Sequence, residues 1–221
     1  MSRRTLVYLH GFASSPRSSK ARFFAERAAG AGWAYTCPDL NQPAFTSLTV
    51  SRMIDAVDTA VAACGDGPVA LMGSSLGAFV ALHTAARRRA RAEADPVDHL
   101  VFLAPALELV PGLEEEFGPA KMAAWEHTGR LPVFHYGDDA MRELGWAFMA
   151  DARKYDSDAV QLDLPVLIYQ GRRDEVVRPA GVVRWAAARP NVVLRMVDDG
   201  HQLLDHVEIM WADVARVLGG A

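Results

Sequence analysis

Short apolar segments alternate with longer segments of helical periodicity along the whole chain. Six of the short segments are nearly continuous in apolar residues, which is typical of strands in a parallel sheet that is covered by helices on both faces. The predicted strands are 6–9, 33–37, 69–72, 100–103, 166–169 and 192–197. The alternation predicts the α/β class, with a mostly parallel sheet of these six strands.

Five longer segments lie between or after these strands and show the apolar spacing of helices. The predicted helices are 19–29, 50–63, 76–91, 180–188 and 204–218. Parallel strands need crossover connections, so we expect these helices to cover both faces of the sheet.

The alternation stops once, in the segment 105–163. This segment is longer than one crossover requires, and prolines and glycines divide it into short pieces. We interpret it as a cap or lid that is inserted into a single domain spanning residues 1–221.

Composition and charge limit the classes of binding partner that we expect. The 221 residues are 51% hydrophobic and 23% charged, as in an ordinary globular enzyme, and the formal net charge is −4. A chain with this charge has no general attraction for nucleic acid or for an anionic membrane, so we expect neither as a partner. The basic run at Arg87, Arg88, Arg89 and Arg91 falls at the end of a predicted helix, where cations complement the helix dipole.

The two cysteines, Cys37 and Cys64, are too few for a disulfide framework and form no CxxC pair for a metal. The apolar segment 6–9 ends at His10 and Gly11, which is too short for a signal peptide. No apolar stretch approaches the ~20 residues that a membrane span needs. We therefore expect a cytoplasmic protein with no metal.

Residues 73–77, Gly-Ser-Ser-Leu-Gly, match the G-x-S-x-G pattern of a nucleophile elbow. The match is common by chance, but here it lies between a predicted strand and a predicted helix, as the elbow requires. Gly73 and Gly77 leave room for a sharp turn that presents the Ser75 hydroxyl above the sheet. Ser75 is the candidate nucleophile, and Ser74 beside it is a candidate substrate contact.

A tetrahedral intermediate at Ser75 needs two backbone donors to its oxyanion. One is the amide of Leu76, which follows the serine at the start of the predicted helix. The other comes from the loop after the first strand, where we expect the Phe12 amide to donate and Gly11 to let the substrate approach the backbone.

The acid and the base are expected in that order after the nucleophile. Asp174 follows the fifth predicted strand and His201 follows the sixth, both at carboxyl ends where sites of open α/β sheets lie. His206 is the alternative base. The alternative acids are Glu175, Asp198 and Asp199.

The segment 8–21, Tyr-Leu-His-Gly-Phe-Ala-Ser-Ser-Pro-Arg-Ser-Ser-Lys-Ala, resembles the opening of the small bacterial YqiA-type esterases. The elbow and the loops of Asp174 and His201 extend this resemblance over about half of the chain, although the family commonly has Asn at the position of Ala13. The resemblance implies the α/β-hydrolase fold and activity on acyl esters.

These observations predict a serine hydrolase that cleaves a carboxylic ester or thioester of a small acyl substrate through an acyl-enzyme. We expect no cofactor, because the chain has no complete dinucleotide-binding, P-loop or HExxH pattern. The alternatives are a peptidase or acyl transferase with the same residues, and a hydrolase-like binding protein without activity. A homodimer also stays open.

Aromatic residues are concentrated in the segment 105–163, which we expect to cover the site. They are Trp125, Phe134, Tyr136, Trp146 and Phe148. One interpretation is an apolar acyl pocket with Trp146 as a substrate contact. The other is that these side chains only pack the cap onto the body of the protein.

Overall fold

The computed structural model describes residues 3–91 and 95–219 and contains eight strands. They are β1 (Thr5–Leu9), β2 (Ala34–Thr36), β3 (Val69–Ser74), β4 (Val97–Leu103), β5 (Arg130–His135), β6 (Ala140–Gly145), β7 (Val166–Gly171) and β8 (Val192–Val197). Six of them form one parallel sheet in the order β2-β1-β3-β4-β7-β8. The six predicted strands and their parallel arrangement are thus confirmed.

The described residues also contain seven α-helices. They are α1 (Ser19–Gly30), α2 (Val50–Ala62), α3 (Leu76–Ala90), α4 (Leu109–Thr128), α5 (Ala147–Ala152), α6 (Pro179–Ala187) and α7 (Val207–Gly219). A 3-10 turn at Leu204–His206 precedes α7. The five predicted helices are confirmed within a few residues at each end. None of the helices in the described ranges is both long and apolar enough to cross a membrane.

The apolar core lies on both faces of the parallel sheet. Along β1, Val7 and Leu9 belong to the apolar cluster on one face, which includes residues of α2, α3 and α6, whereas Leu6 and Tyr8 belong to the cluster on the other face, which includes residues of α1 and α7. Both sets are almost completely buried. The central strands β1, β3 and β7 are buried along their whole length, so their sequences are nearly continuous in apolar residues, whereas the edge strands β2 and β8 are only partly buried.

The segment between β4 and β7 contains α4, the antiparallel pair β5–β6, and α5. The expectation of short pieces was only partly right. Gly118 takes a positive φ of 70° and interrupts α4, but Pro119 begins the helical turn that follows, where its missing N–H costs no hydrogen bond. The glycine and proline therefore produce a kink, and helix continues on both sides of it.

Candidate active site

Ser75 lies at the sharp turn between β3 and α3. Its backbone has φ 52° and ψ −115°, a conformation that is strained for any residue with a side chain. The surrounding structure holds it there, because its amide donates to the Leu103 carbonyl at 2.8 Å and its carbonyl accepts from the Ala78 amide at 3.0 Å. The turn leaves Ser75 partly exposed while Ser74 and Leu76 on either side are buried.

The glycines on either side of this turn have no room for a side chain. A β-carbon on Gly77 would lie 2.1 Å from the Leu9 carbonyl oxygen, and one on Gly73 would lie 2.4 Å from the Ala78 nitrogen. Both distances are far shorter than any van der Waals contact, so the strand, the loop after β1 and α3 meet through bare backbone.

The two predicted oxyanion donors lie on either side of this contact. Within the described residues, neither the Phe12 amide nor the Leu76 amide donates a hydrogen bond inside the protein. A β-carbon on Gly11 would lie 3.6 Å from that of Ser75, so the loop after β1 approaches the serine closely. Both amides are therefore unpaired donors close to Ser75.

His10 holds this loop in place. Its ring is 1% exposed. Its Nε2 accepts from the Leu40 amide at 3.0 Å, and its Nδ1 lies 3.0 Å from the Gly11 carbonyl oxygen. Both ring nitrogens are engaged, so His10 is a packing residue of the loop and does not compete with His201 as a base.

Asp174 and His201 come together at the carboxyl ends of β7 and β8. The Nδ1 atom of His201 lies 3.0 Å from Oδ2 and 3.1 Å from Oδ1 of Asp174. The Asp174 carboxyl is fully buried, whereas the His201 side chain is 15% exposed. A carboxylate in this position orients the ring and stabilises it when it is protonated.

Backbone and side-chain donors surround the Asp174 carboxylate. The amides of Val176 and Val177 donate to Oδ1 at 2.9 and 2.8 Å, and Gln170 Nε2 donates to Oδ2 at 2.8 Å. Burial acts to raise the pKa of Asp174, but the hydrogen bonds, led by that from His201, outweigh it and hold this pKa below its usual value. The carboxyl is therefore ionised at neutral pH.

The hydroxyl of Ser75 and the ring of His201 make no direct hydrogen bond in the part of the chain that the structure describes. This bond is often long in structures without substrate and shortens when substrate binds. The contact between Asp174 and His201 is thus formed in the free protein, whereas the contact between His201 and Ser75 is not.

The alternative base His206 and the alternative acids Asp198 and Asp199 have other partners, and Glu175 lies in the wall of the cavity beside Ser75. His206 Nδ1 lies 3.0 Å from Asp199 Oδ2, so these two residues form a second histidine–aspartate pair. Asp198 is exposed and pairs with Arg173 at 3.2 Å. Asp174 is consequently the carboxylate that contacts His201.

A cavity of about 550 Å³ opens beside Ser75. Its walls include Ser75 and Leu76 from the elbow and Glu175 to Arg178 from the loop next to Asp174. Apolar side chains form much of the remaining wall, among them Phe12, Leu107, Leu113, Phe148 and Val182. His201 is not part of the wall. The cavity has the size and character of a small-molecule site.

The three predicted substrate contacts do not lie in the cavity wall. Trp146 packs edge-on against Trp125 with ring centroids 5.1 Å apart, so it belongs to the packing of the segment 105–163. Ser74 is only 5% exposed, and Gly11 lies against the elbow. Of the aromatic residues in that segment, Phe148 is the one that reaches the cavity.

Sequence reasoning missed Gln170, and it named Phe148 only as one of the aromatic residues of the segment 105–163. Gln170 is completely buried at the end of β7 and bonds Asp174, and a polar residue near the end of an otherwise apolar strand is the signal that could have identified it. Phe148 is also fully buried and packs against Phe12 with the rings tilted and their centroids 5.7 Å apart. Nothing in the sequence distinguishes it from Trp146.

The chain is similar to known proteins over nearly its whole length. The family model described as uncharacterised protein family UPF0227 matches residues 5–213. No curated protein matches the chain in sequence.

Solved structures of several other proteins are similar to this chain in fold. A provisionally named hydrolase from Agrobacterium vitis S4 is 24% identical, with a TM-score of 0.84 over 96% of this chain and 87% of that one. A provisionally named hydrolase of the alpha/beta superfamily from Xanthomonas campestris pv. campestris is 26% identical, with a TM-score of 0.63 over 98% and 99%. Est1E from Butyrivibrio proteoclasticus, solved with ferulic acid bound, is 18% identical, with a TM-score of 0.81 over 99% and 89%. The chain has the α/β-hydrolase fold.

Proposed function

This chain belongs to the uncharacterised protein family UPF0227, and we propose that it is a serine hydrolase that cleaves a carboxylic ester or thioester of a small acyl substrate. The observation that carries the proposal is Ser75 itself. It is held in a strained conformation at the wall of a cavity, with two unpaired backbone amides beside it. Strain of this kind persists where the surrounding structure maintains it, and it is concentrated at active sites.

In the proposed reaction, the Ser75 hydroxyl oxygen attacks the carbonyl carbon of the substrate while His201 Nε2 takes the hydroxyl proton. The carbonyl oxygen becomes an oxyanion, which accepts hydrogen bonds from the amides of Phe12 and Leu76. As the intermediate collapses, the bond to the alcohol or thiol breaks, and His201 returns its proton to that leaving group. The acyl group then remains on Ser75.

Water completes the cycle. His201 takes a proton from a water molecule, whose oxygen attacks the acyl-enzyme and releases the carboxylic acid, and the proton returns to Ser75. Asp174 stays ionised throughout and holds the Nδ1 side of the ring. Its low pKa and its four hydrogen-bond donors support this role.

Three features support a small acyl substrate. The cavity has a volume of about 550 Å³, its wall includes a set of apolar side chains, and the fold is shared with Est1E, which was solved with ferulic acid bound. The apolar part of the wall favours an acyl chain or an aromatic ring as the bound group. The rest of the wall includes the charged residues Glu108, Glu115, Glu116, Glu175 and Arg178.

The test is labelling of the full-length chain with a fluorophosphonate probe, together with hydrolysis of p-nitrophenyl butyrate. We expect one equivalent of label and measurable turnover in the unaltered protein, and loss of both in Ser75→Ala. The matched control is Ser47→Ala, whose hydroxyl bonds the Ala44 carbonyl away from the cavity. Labelling that persists in Ser75→Ala would refute the nucleophile, and a protein that neither labels nor hydrolyses esters would favour the binding-protein alternative.

A further inference from the structure

Lys20 occupies a position that disfavours a cation. It is the second residue of α1, where the positive end of the helix dipole repels a positive charge, and its side chain is buried with 8% exposure. Lysine is almost never buried to this extent unless it has a specific partner. A residue that contradicts its local environment in this way marks a position selected for something other than helix stability.

The partner of Lys20 is the loop that carries His201. Its ammonium Nζ donates to the carbonyl oxygen of Gln202 at 2.9 Å, across 182 positions of sequence. Gln202 directly follows His201. The next residue, Leu203, is fully buried and has a positive φ of 54°, which is unfavourable for leucine. Lys20 thus holds the backbone between His201 and a strained residue.

Asp199 holds the same loop from within. Its Oδ1 accepts from the Gly200 amide at 2.7 Å, and its Oδ2 accepts from the Asp205 amide at 3.1 Å and lies 3.0 Å from His206 Nδ1. These bonds join the two ends of the segment 199–206, while Lys20 holds its middle. The loop is therefore fixed at three points around His201, the third being the contact with Asp174.

The buried charge of Lys20 does not stabilise the fold. Burial lowers the pKa of Lys20 to about 8, and the attraction of Asp174 and Asp199 only partly offsets that effect. A lysine whose pKa is lower in the folded chain than in the unfolded chain reduces the free energy of unfolding at neutral pH. In a variant without the ammonium, relief of this burial cost should offset the loss of the hydrogen bond to Gln202, so we expect little change in stability.

We propose that Lys20 is a positioning residue, which sets the orientation of the His201 ring through its hydrogen bond to the Gln202 carbonyl. The proposal rests on the proposed function of the same site. Displacement of a reacting group by about 1 Å costs on the order of a hundredfold in rate. The effect of Lys20 should therefore appear in kcat and leave KM nearly unchanged, because the cavity walls do not include it.

The experiment compares Lys20→Met with Arg4→Met in the full-length chain. Arg4 is also a largely buried cation with one partner, Asp98 at 2.7 Å, but it precedes β1 at the opposite end of the sheet from the site. For Lys20→Met with p-nitrophenyl butyrate we expect kcat to fall by about tenfold to a hundredfold, an unchanged KM, and a melting temperature close to that of the unaltered protein. For Arg4→Met we expect a lower melting temperature and an unchanged kcat.

A second readout does not depend on turnover. The proton on His201 Nδ1 is hydrogen-bonded to Asp174. Its NMR signal reports the orientation of the ring. We expect this signal to shift or broaden in Lys20→Met and in a second variant, Lys20→Gln, and to stay unchanged in Arg4→Met.

An unchanged His201 signal together with an unchanged kcat in a folded Lys20 variant would overturn the proposal. So would a loss of kcat that follows the melting temperature in all of the variants, because that is the behaviour of a residue needed only for the fold. If the unaltered protein hydrolyses no ester, the proposed function fails while the His201 signal still decides the role of Lys20.

Discussion

The carboxylate of Asp174 shows how much a single side chain can be specified by its surroundings. Two backbone amides, one side-chain amide and one imidazole donate to its two oxygens, so its charge and its orientation are both determined. Asp198, 24 positions further along the chain, is exposed and has only an arginine beside it. The two residues are the same in chemistry and differ in what the fold places around them.

Asp174→Asn should abolish most activity and leave the fold intact. The amide cannot stabilise a protonated ring and favours the wrong tautomer of His201, a loss that typically costs ~10⁴ in turnover. The measurement is kcat for p-nitrophenyl butyrate, with circular dichroism to check the fold. Asp198→Asn is the matched control and should keep full activity. Equal activity of the two variants would show that Asp174 is not the catalytic acid.

At the scale of the residue, the sequence could predict those site residues whose place depends only on the strand that they follow. Asp174 and His201 each follow a strand directly, and the structure brings them together because β7 and β8 are neighbours. The contact of Lys20 with Gln202 depends on how distant segments meet across the site, and no local pattern encodes it. For the same reason the sequence could not show that Trp146 lies outside the cavity wall.

At the scale of the element, the candidate catalytic residues and most of the cavity wall come from different parts of the chain. Ser75, Asp174 and His201 are on short turns at the ends of β3, β7 and β8. The opposite wall of the cavity comes from α4, α5 and α6, two of which lie in the segment 105–163. Substrate preference should therefore respond to changes in these helices that leave the turns untouched.

Phe148→Leu should shift the preference of the enzyme towards longer acyl chains. The smaller side chain enlarges the cavity, and each extra methylene that it accommodates is worth about 0.8 kcal/mol, or about fourfold in kcat/KM. The measurement is the ratio of kcat/KM for p-nitrophenyl octanoate to that for the butyrate. Trp146→Leu, two residues earlier and outside the wall, should lower stability and leave this ratio as it is. If both variants change the ratio equally, the assignment of Phe148 to the acyl pocket is wrong.

The elements that the sequence could not predict are those of the segment 105–163. In β5, the alternation of buried Leu131 and His135 with exposed residues covers only six positions and includes Pro132, so it is too short and irregular to identify a strand. The helix α4 is divided by Gly118 and Pro119, which local rules read as a break. The central strands lack such ambiguity, since both of their faces are buried.

At the scale of the whole molecule, one buried histidine couples stability to pH. His83 lies in α3, is 6% exposed, and packs against Phe79 and Tyr155. Burial lowers the pKa of His83 to about 4, against 6.5 in an unfolded chain, and Asp156 offsets this effect only slightly. Below pH 6.5 the unfolded chain therefore binds a proton that the folded chain does not bind.

This difference predicts that the protein loses stability in mild acid. The contribution of His83 is fully present above pH 6.5 and falls as the pH decreases towards 4, by about 3 kcal/mol in total. Urea unfolding at pH 7 and at pH 4 measures it, with His83→Gln expected to lose about 3 kcal/mol less than the unaltered protein between the two pH values. The exposed His127→Gln is the control and should behave like the unaltered protein. Identical pH dependence in His83→Gln would contradict the assignment.

The bare contact between Gly77 and the Leu9 carbonyl has a consequence for how such proteins diversify. The two proposed oxyanion donors are on segments that meet through main chain, and the register of β1 with β3, in which Leu9 faces Gly73, sets their separation. Side-chain substitutions elsewhere leave that spacing alone. Mutations in the segment 105–163, in nature or in a directed-evolution library, should therefore leave the positions of Ser75 and of the two proposed oxyanion donors unchanged.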